Sequence, residues 1–292
     1  MSIEQANPPA PVSTTPAPPA PARQPSPPDW LVIGLGAVYV VAIAALAFLP
    51  GATLIERLRT LDGGICAQIP SHSFFPGGQQ LPLCSRNTGI YSGFTAATLV
   101  LWATGRIRSA QLPSKWVSLV FGLCVLILAI DGFNSLFLDL GLPHLYQPHN
   151  LLRLATGLGT GTAMAAFIIP VANTLVWKHE DQRPSFASVR QLSLMLPVLL
   201  LAFLAIGTIG SSVAFMLYPI ALFSSAGLIL ALTLVNIVLF LGVGNHVGRF
   251  ATWHRFFPIF TLAVVCAIIE LLALFALKSS MMAALMPGTP GM

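Results

Sequence analysis

Residues 116–138 read WVSLVFGLCVLILAIDGFNSLFL. Before Asp131 the only interruptions to its apolar character are Ser118 and Gly122. At a rise of about 1.5 Å per residue, a helix of this length reaches across a hydrocarbon core of roughly 30 Å. Similar runs occur at 30–50, 89–104 (short), 151–177, 192–210, 213–243 and 257–277. The fold expected is therefore all-α, a polytopic transmembrane helix bundle with about seven spans. Gly207, Gly210, Ser211, Ser212 and Pro219 mark a place where the chain can break, so an eighth short element or a kinked sixth span is the alternative.

Composition agrees with the runs. The chain has 292 residues, 55% of them hydrophobic and 8% charged, with a mean hydropathy of +0.82. Soluble domains carry about 25% charged residues, so a soluble enzyme is excluded. No block of lysines or arginines points to nucleic acid; the partners expected are the lipid bilayer and, as one option, a membrane protein complex.

Outside the spans the sequence divides simply. Residues 1–29 are rich in Pro, Ala and Ser and too poor in apolar bulk to offset the entropy of ordering, so they read as a disordered cytoplasmic tail. Residues 30–279 form the transmembrane domain, with a polar external loop at 51–88. Residues 280–292 are expected to form a flexible tail.

Basic residues orient the bundle. With seven spans, one side receives nine of them: Arg23, Arg106, Arg108, Lys115, Lys178, Arg183, Arg190, Arg249 and Arg255. The other receives five: Arg57, Arg59, Arg86, Arg153 and Lys278. The positive-inside rule then puts the N-terminus inside and the C-terminus outside. The expected location is a bacterial inner membrane, as a multi-pass protein.

This places two polar loops together on the outer face. One runs over residues 66–84, CAQIPSHSFFPGGQQLPLC; the other, 139–150, carries His144, Tyr146, Gln147, His149 and Asn150. Lipid explains apolar helices, but it does not explain these loops. Cys66 and Cys84 read three ways. A disulfide closing this loop would contribute on the order of 3 kcal/mol. A zinc site would need four ligands, and Cys66, His72 and Cys84 supply three, with His144 or His149 to complete the set. A redox-active thiol pair is the third reading, although no Cys-x-x-Cys is present.

Buried charge is the next signal, since intramembrane charges are costly and face the bundle interior. Asp131 lies in the outer half of the third span and Arg153 about one turn into the fourth, so an Asp131–Arg153 contact is expected. Asn150 is expected to cap the fourth span. Gln80, Arg86, Tyr91, Asp131, Asn150 and Arg153 are the candidate ligand-binding set, with Arg86 and Arg153 as donors to an anionic or polar headgroup. A helix-pinning ion pair is the structural alternative. Glu270, near the middle of the seventh run, could relay protons or bind a cation, or could simply hydrogen-bond Asn173 or Asn236 on another helix.

Residues 66–93 resemble a family of predicted bacterial and archaeal integral membrane proteins without an assigned activity. The family's segment runs Cys-His-Gln, then Ser-Phe-Phe or similar, then Gln-x-Pro-x-Cys-x-Arg-Cys-x-Gly-Ile-Tyr-x-Gly. Cys66, Gln68, Ser73, Phe74, Gln80, Pro82, Cys84, Arg86 and the run from Thr88 to Tyr91 with Gly93 match it. Asp131, Gly132, Asn150, Leu152, Arg153, Thr156 and Gly157 extend the resemblance. Ala67 stands where the family often has His, and Asn87 where it often has Cys. The resemblance implies a helical membrane protein; these two departures remove half of the ligand set that would imply metal or Cys-x-x-Cys chemistry.

Gly157-Leu-Gly-Thr-Gly161 follows no strand, so it is not a nucleotide loop; Gly157 and Gly161 instead make a small-xxx-small face for helix packing. The function expected is binding of, or chemistry on, a membrane-derived ligand such as a lipid headgroup or quinone in an external-face pocket. The alternatives are a transporter or channel using Glu270, and a non-catalytic subunit of a membrane complex. The sequence decides neither whether the protein is an enzyme nor which cofactor it would use.

Overall fold

Thr53 and Glu56 start the first element. The Thr53 hydroxyl accepts from the Glu56 N–H at 3.3 Å, and the Glu56 carboxylate accepts from the Thr53 N–H at 3.2 Å. This reciprocal cap begins α1 (Leu54–Asp62), which buries Ile55, Leu61 and Asp62. The polar loop expected at 51–88 therefore contains a short amphipathic helix. Two single 3₁₀ turns follow, Pro70–His72 and Pro76–Gly78, the second turning through Gly77 at φ 61°.

The protein is described here by a computed structural model covering Leu49, residues 51–244 and residues 248–285. The N-terminal tail, nearly all of the run at 30–50 and the last seven residues lie outside the described residues.

The main helices are α2 (Ser85–Ala103), α3 (Lys115–Asp139), α4 (Asn150–Val176), α5 (Val189–Ile209), α6 (Leu217–Val243) and α7 (Trp253–Leu285). Five of them, α3 to α7, are long and apolar enough to cross a membrane. Of the seven expected spans the first lies almost entirely outside the described residues, and five of the remaining six are of this kind. The short run at 89–104 is part of α2, which is not among the five; Arg86, Asn87, Thr88, Ser92, Thr95 and Thr98 make it more polar than the rest. The expected break near 211–218 is present: α5 ends in a π turn over Ala205–Ile209, Val213 is extended, and a 3₁₀ turn over Ala214–Met216 leads into α6. α7 runs on through Lys278 to Leu285, into the segment expected to be a tail.

α2 sits among its neighbours through glycine. A Cβ on Gly89 or Gly93 would strike the α4 carbonyls of Leu154 or Leu158, and one on Gly157 or Gly161 would strike the α2 carbonyls of Arg86 or Ile90. The order of these contacts makes α2 and α4 parallel. On another face of α2, Gly227 of α6 lies against the Tyr91 carbonyl. Small residues let backbones approach closely where lipid supplies no hydrophobic drive between helices. The glycine pair expected on α4 therefore has a matching pair on α2.

Two short strands depart from the all-α expectation. β1 (Ser109–Gln111) and β2 (Asp181–Pro184) pair in parallel at the far end of the bundle. Asn173 of α4 donates to the carbonyls of Ile107 and Ser109, both at 2.8 Å, and so anchors this end. The opposite end carries α1, the 63–84 loop, the starts of α2 and α4, and the end of α3. The later part of α7 joins them, since Lys278 donates to the Gly63 and Cys66 carbonyls. It is called the loop face below.

Candidate functional site

Two polar groups lie at the loop face. The first centres on Asp131, which is buried in α3. Arg86, the second residue of α2, reaches it with Nη2 at 2.5 Å and Nε at 3.2 Å from Oδ2. Its Nη2 also donates to the Asp131 carbonyl and to the Ser135 hydroxyl, each at 3.1 Å. The other carboxylate oxygen accepts from the Tyr146 hydroxyl at 2.9 Å. The expected Asp131–Arg153 contact is therefore replaced by Asp131–Arg86, because the start of α2 lies against α3 at Asp131 while Arg153 is directed to Asn150 and Ser135.

Arg153 is nevertheless in the same group. It is 4% exposed. Its Nη1 donates to Asn150 at 2.8 Å and its Nη2 lies 3.4 Å from the Ser135 hydroxyl. Its Nε has no partner among the described residues. Asn150 does not cap α4; His149 does, accepting from the Leu151 N–H through Nδ1. Asn150 instead turns its amide to the carbonyls of Ser71 and Ser73, joining α4 to the first loop.

The 140–149 loop is fixed over this group by Asn134. Its side chain accepts from the Leu145 and Tyr146 N–H groups and donates to the Tyr146 carbonyl. Burial pushes the Tyr146 phenol up to about 12, and the hydrogen bond to Asp131 adds to the rise. His72 also belongs here: its Nε2 lies 3.3 Å from Asp139. Burial lowers its pKa, the Arg153 charge lowers it further, and Asp139 opposes both. The metal reading of Cys66, His72 and Cys84 is thus corrected, since His72 is directed to Asp139. Among the described residues no three His, Cys, Asp or Glu side chains gather as a metal site requires.

The second group holds the cysteines. Cys66 is buried, and its sulfur accepts from the N–H groups of Gln68 at 3.4 Å and Cys84 at 3.2 Å. The two thiols hydrogen-bond each other, and the Asn87 side chain also reaches Cys66. These contacts, the Cys84 thiol first, pull the Cys66 thiol well below its ordinary value despite burial. The Cys84 thiol is pushed up, by its bond to Cys66 and then by burial. Both are free thiols, so the expected disulfide is corrected: the sulfurs sit at hydrogen-bonding rather than bonding separation.

Asp62 lies beside this pair. Its carbonyl accepts from the Cys66 N–H at 3.1 Å, its Oδ2 accepts from Ser225 of α6 at 2.6 Å, and its Oδ1 has no partner among the described residues. Burial pushes its carboxyl up to about 7, opposed by the Ser225 hydrogen bond and helped by Cys66. Tyr91 packs against the cluster that holds Cys66 and Cys84.

Gln80 and Gln68 build the loop that separates the groups. Gln80 donates to the Gln68 carbonyl and the Ser73 hydroxyl and accepts from Arg59. Gln68 donates to the carbonyls of Arg59 and Pro82. Gln68 holds a left-handed φ of 55°, an uncommon conformation for a residue with a side chain, and its N–H donates to the Cys66 sulfur. Gln80 is therefore part of the scaffold rather than of the arginine group. Glu270 accepts from Asn236 at 3.2 Å, one of the two partners expected for it.

Asp62, Ser135 and Ser225 were not legible as site residues. Asp62 reads as one more polar residue of a solvated loop, and the serines read as neutral helix positions. The only signal for Asp62 is its position four residues before Cys66, one helical turn.

Comparison with known proteins gives a family and no activity. Residues 66–167 match the DUF2085 model, described as a predicted membrane protein. An uncharacterised protein of Methanothermobacter thermautotrophicus is 33% identical over 118 residues, 39% of this chain and 88% of that protein. One of Methanocaldococcus jannaschii is 28% identical over 114 residues, 39% of this chain and 67% of that protein. Both are archaeal, so the comparisons support a membrane protein and not a bacterial inner membrane in particular. No solved structure matches.

Proposed function

The chain belongs to DUF2085, a family of predicted membrane proteins, and from that premise we propose that its loop face binds an anionic, membrane-derived ligand, best matched by a phosphate-bearing lipid headgroup. One observation carries the reading. Arg153 is buried, its Nε lacks a partner, and it hydrogen-bonds no carboxylate among the described residues. Asp131 is already occupied by Arg86 and Tyr146.

Two guanidiniums thus share one hydrogen-bonded carboxylate, and Asp131 and Asp139 act on Arg153 only without a hydrogen bond. A buried charge without a hydrogen-bonded counterion is costly, and an anion on Arg153 would relieve that cost. The guanidinium fork suits phosphate, which it can bind through two parallel N–H donors. A quinone carbonyl is neutral and would leave the excess charge in place, so it is the weaker fit. The basic-residue count favours an outward-facing site.

The test is native mass spectrometry of the detergent-purified chain with phosphatidylglycerol and, separately, phosphatidylcholine. Wild type is expected to retain the anionic lipid, and Arg153→Ala to weaken that retention by about tenfold or more, the loss of one charge-assisted contact. Arg153→Lys, which keeps the charge and loses the fork, is expected to lie between. Equal retention of both lipids, or an Arg153→Ala protein that is folded and binds as wild type does, would overturn the reading.

A further inference from the structure

Beyond the anion reading, and independent of it, we propose that Cys66 and Cys84 form a reversible dithiol centre that exchanges with thiol/disulfide substrates, with Cys84 as the point of entry and Cys66 as the leaving and resolving sulfur.

The geometry divides these roles. Cys84 is partly exposed at the start of α2, whereas Cys66 is 2% exposed beneath it. A substrate sulfur can therefore reach Cys84 and not Cys66. The sulfur of Cys66 is held by two backbone N–H groups and approached by the Asn87 amide, and Lys278 sits on its carbonyl at 2.8 Å. These donors stabilise a thiolate there. A thiolate stabilised in place is a good leaving group, and thiol–disulfide exchange is faster when the departing thiol is the more acidic one.

Asp62 is the second observation. It is fully buried, its backbone carbonyl accepts from the Cys66 N–H, and its Oδ1 is unpartnered among the described residues. An unsatisfied buried carboxylate oxygen is costly, and a proton held on Asp62 beneath the thiol pair would relieve that cost. Gln68, whose backbone is left-handed, donates its N–H to the same sulfur.

In the reducing direction the Cys84 thiol loses its proton and attacks a substrate disulfide RS–SR; the S–S bond breaks, RS⁻ leaves and takes up that proton. Cys66 then loses its proton and attacks the Cys84 sulfur of the mixed disulfide. The second RS⁻ leaves and takes up that proton. Two RSH and one Cys66–Cys84 disulfide result, with two electrons moved to the substrate. The reverse begins with a substrate thiolate attacking Cys84 and Cys66 departing as thiolate.

The experiment equilibrates the full chain in detergent with reduced and oxidised glutathione, quenches with acid, and maps thiols by alkylation and mass spectrometry. Cys66 and Cys84 are expected to disappear together into one disulfide and to return when reduced glutathione is added to the native protein. The Cys66→Ser variant is expected to accumulate glutathione on Cys84 at least about tenfold more than the Cys84→Ser variant accumulates it on Cys66, because buried thiols are inert. Thiols unaltered in oxidised glutathione would overturn the proposal. So would a disulfide that native-state reduction cannot reopen, which would be a structural staple, or equal labelling in the two variants.

Discussion

Arg86 and Arg153 meet on one hydroxyl: their Nη2 groups lie 3.1 and 3.4 Å from Ser135 Oγ. Two like charges held by a neutral acceptor repel; Asp131 offsets Arg86 through hydrogen bonds, and Asp131 and Asp139 act on Arg153 without one. The pair of helices carrying them, α2 and α4, is locked in close contact by glycine, so neither arginine can retreat by moving its helix. This converts a matter of packing into a matter of charge.

The balance at Asp131 is directly testable. Asp131→Asn leaves Arg86 without its counterion and is expected to cost about 3–5 kcal/mol, the usual effect of breaking a buried pair. The Asp131→Asn/Arg86→Met double variant is expected to be more stable than the sum of the two single changes predicts, since it removes both charges. Thermal unfolding in detergent, followed by tryptophan fluorescence, gives the cycle. Strict additivity would mean that the Arg86–Asp131 contact contributes no coupling.

Asp62 sets a pH dependence. Its carboxyl stands at about 7 in the folded protein, against an ordinary value of 3.8. The folded state therefore binds more protons than the unfolded one between those limits, and stability falls as pH rises through that window. The groups facing Asp62 are Cys66 from the loop, Tyr91 from α2, Ser225 from α6, and Lys278 of α7 on the neighbouring Gly63 and Cys66 carbonyls. Asp62→Asn removes the carboxylate's share. The variant is expected to gain stability relative to wild type at pH 8, on the order of a few kcal/mol, with the gain shrinking toward pH 5. A difference between the two proteins that does not vary with pH would refute this.

Glycine packing gives a third expectation. The Cβ of Gly161→Ala would meet the Ile90 carbonyl, and that of Gly93→Ala the Leu158 carbonyl. Both obstacles are backbone, so neither can rotate aside. Each substitution is expected to cost about 1–3 kcal/mol, as overpacking does, whereas Gly122→Ala, which meets nothing within 4 Å, should be neutral or slightly stabilising through helix propensity. Thermal midpoints of the three variants order them.

How much of this could be read from the chain depends on what each residue reports locally. Apolar runs record lipid or core contact directly, so α3 to α7 were visible. α2 was half visible: its polar first turns, which hold Arg86, Asn87 and Thr88, hid its start. Thr53-x-x-Glu56 is a capping signature for α1, yet it sits in a stretch that reads as loop. Arg86, Asp131, Asn150 and Arg153 were singled out because charge and amide are conspicuous near helix ends, and the structure does gather them. Which carboxylate meets which arginine was not legible, because it depends on the glycine-set approach of α2 to α4. Gln80 and Tyr91 were grouped by their place in one motif, whereas the loop fold sends them to different neighbours. The Asp62–Ser225 contact joins residues 163 positions apart, and nothing in either local sequence announces it.

Glu270 supplies the last prediction and separates a structural carboxyl from one that couples transport. Asn236 donates to its Oε2 across the α6–α7 interface at 3.2 Å. Glu270→Gln keeps an acceptor oxygen in nearly the same place, so it is expected to leave the thermal midpoint within the equivalent of about 0.5 kcal/mol of wild type, an ordinary effect for a change that breaks no contact. Glu270→Leu removes the acceptor and leaves the Asn236 amide short of a partner; interhelical hydrogen bonds in membranes average about 0.6 kcal/mol and reach about 1.7, and its cost should fall in that range. The comparison of the two variants is the measurement. Equal losses in Gln and Leu would mean that Glu270 is needed as a carboxyl rather than as an acceptor, and would turn attention to proton or cation movement through α7. A neutral Glu270→Gln with a destabilised Glu270→Leu assigns the side chain to holding α6 against α7.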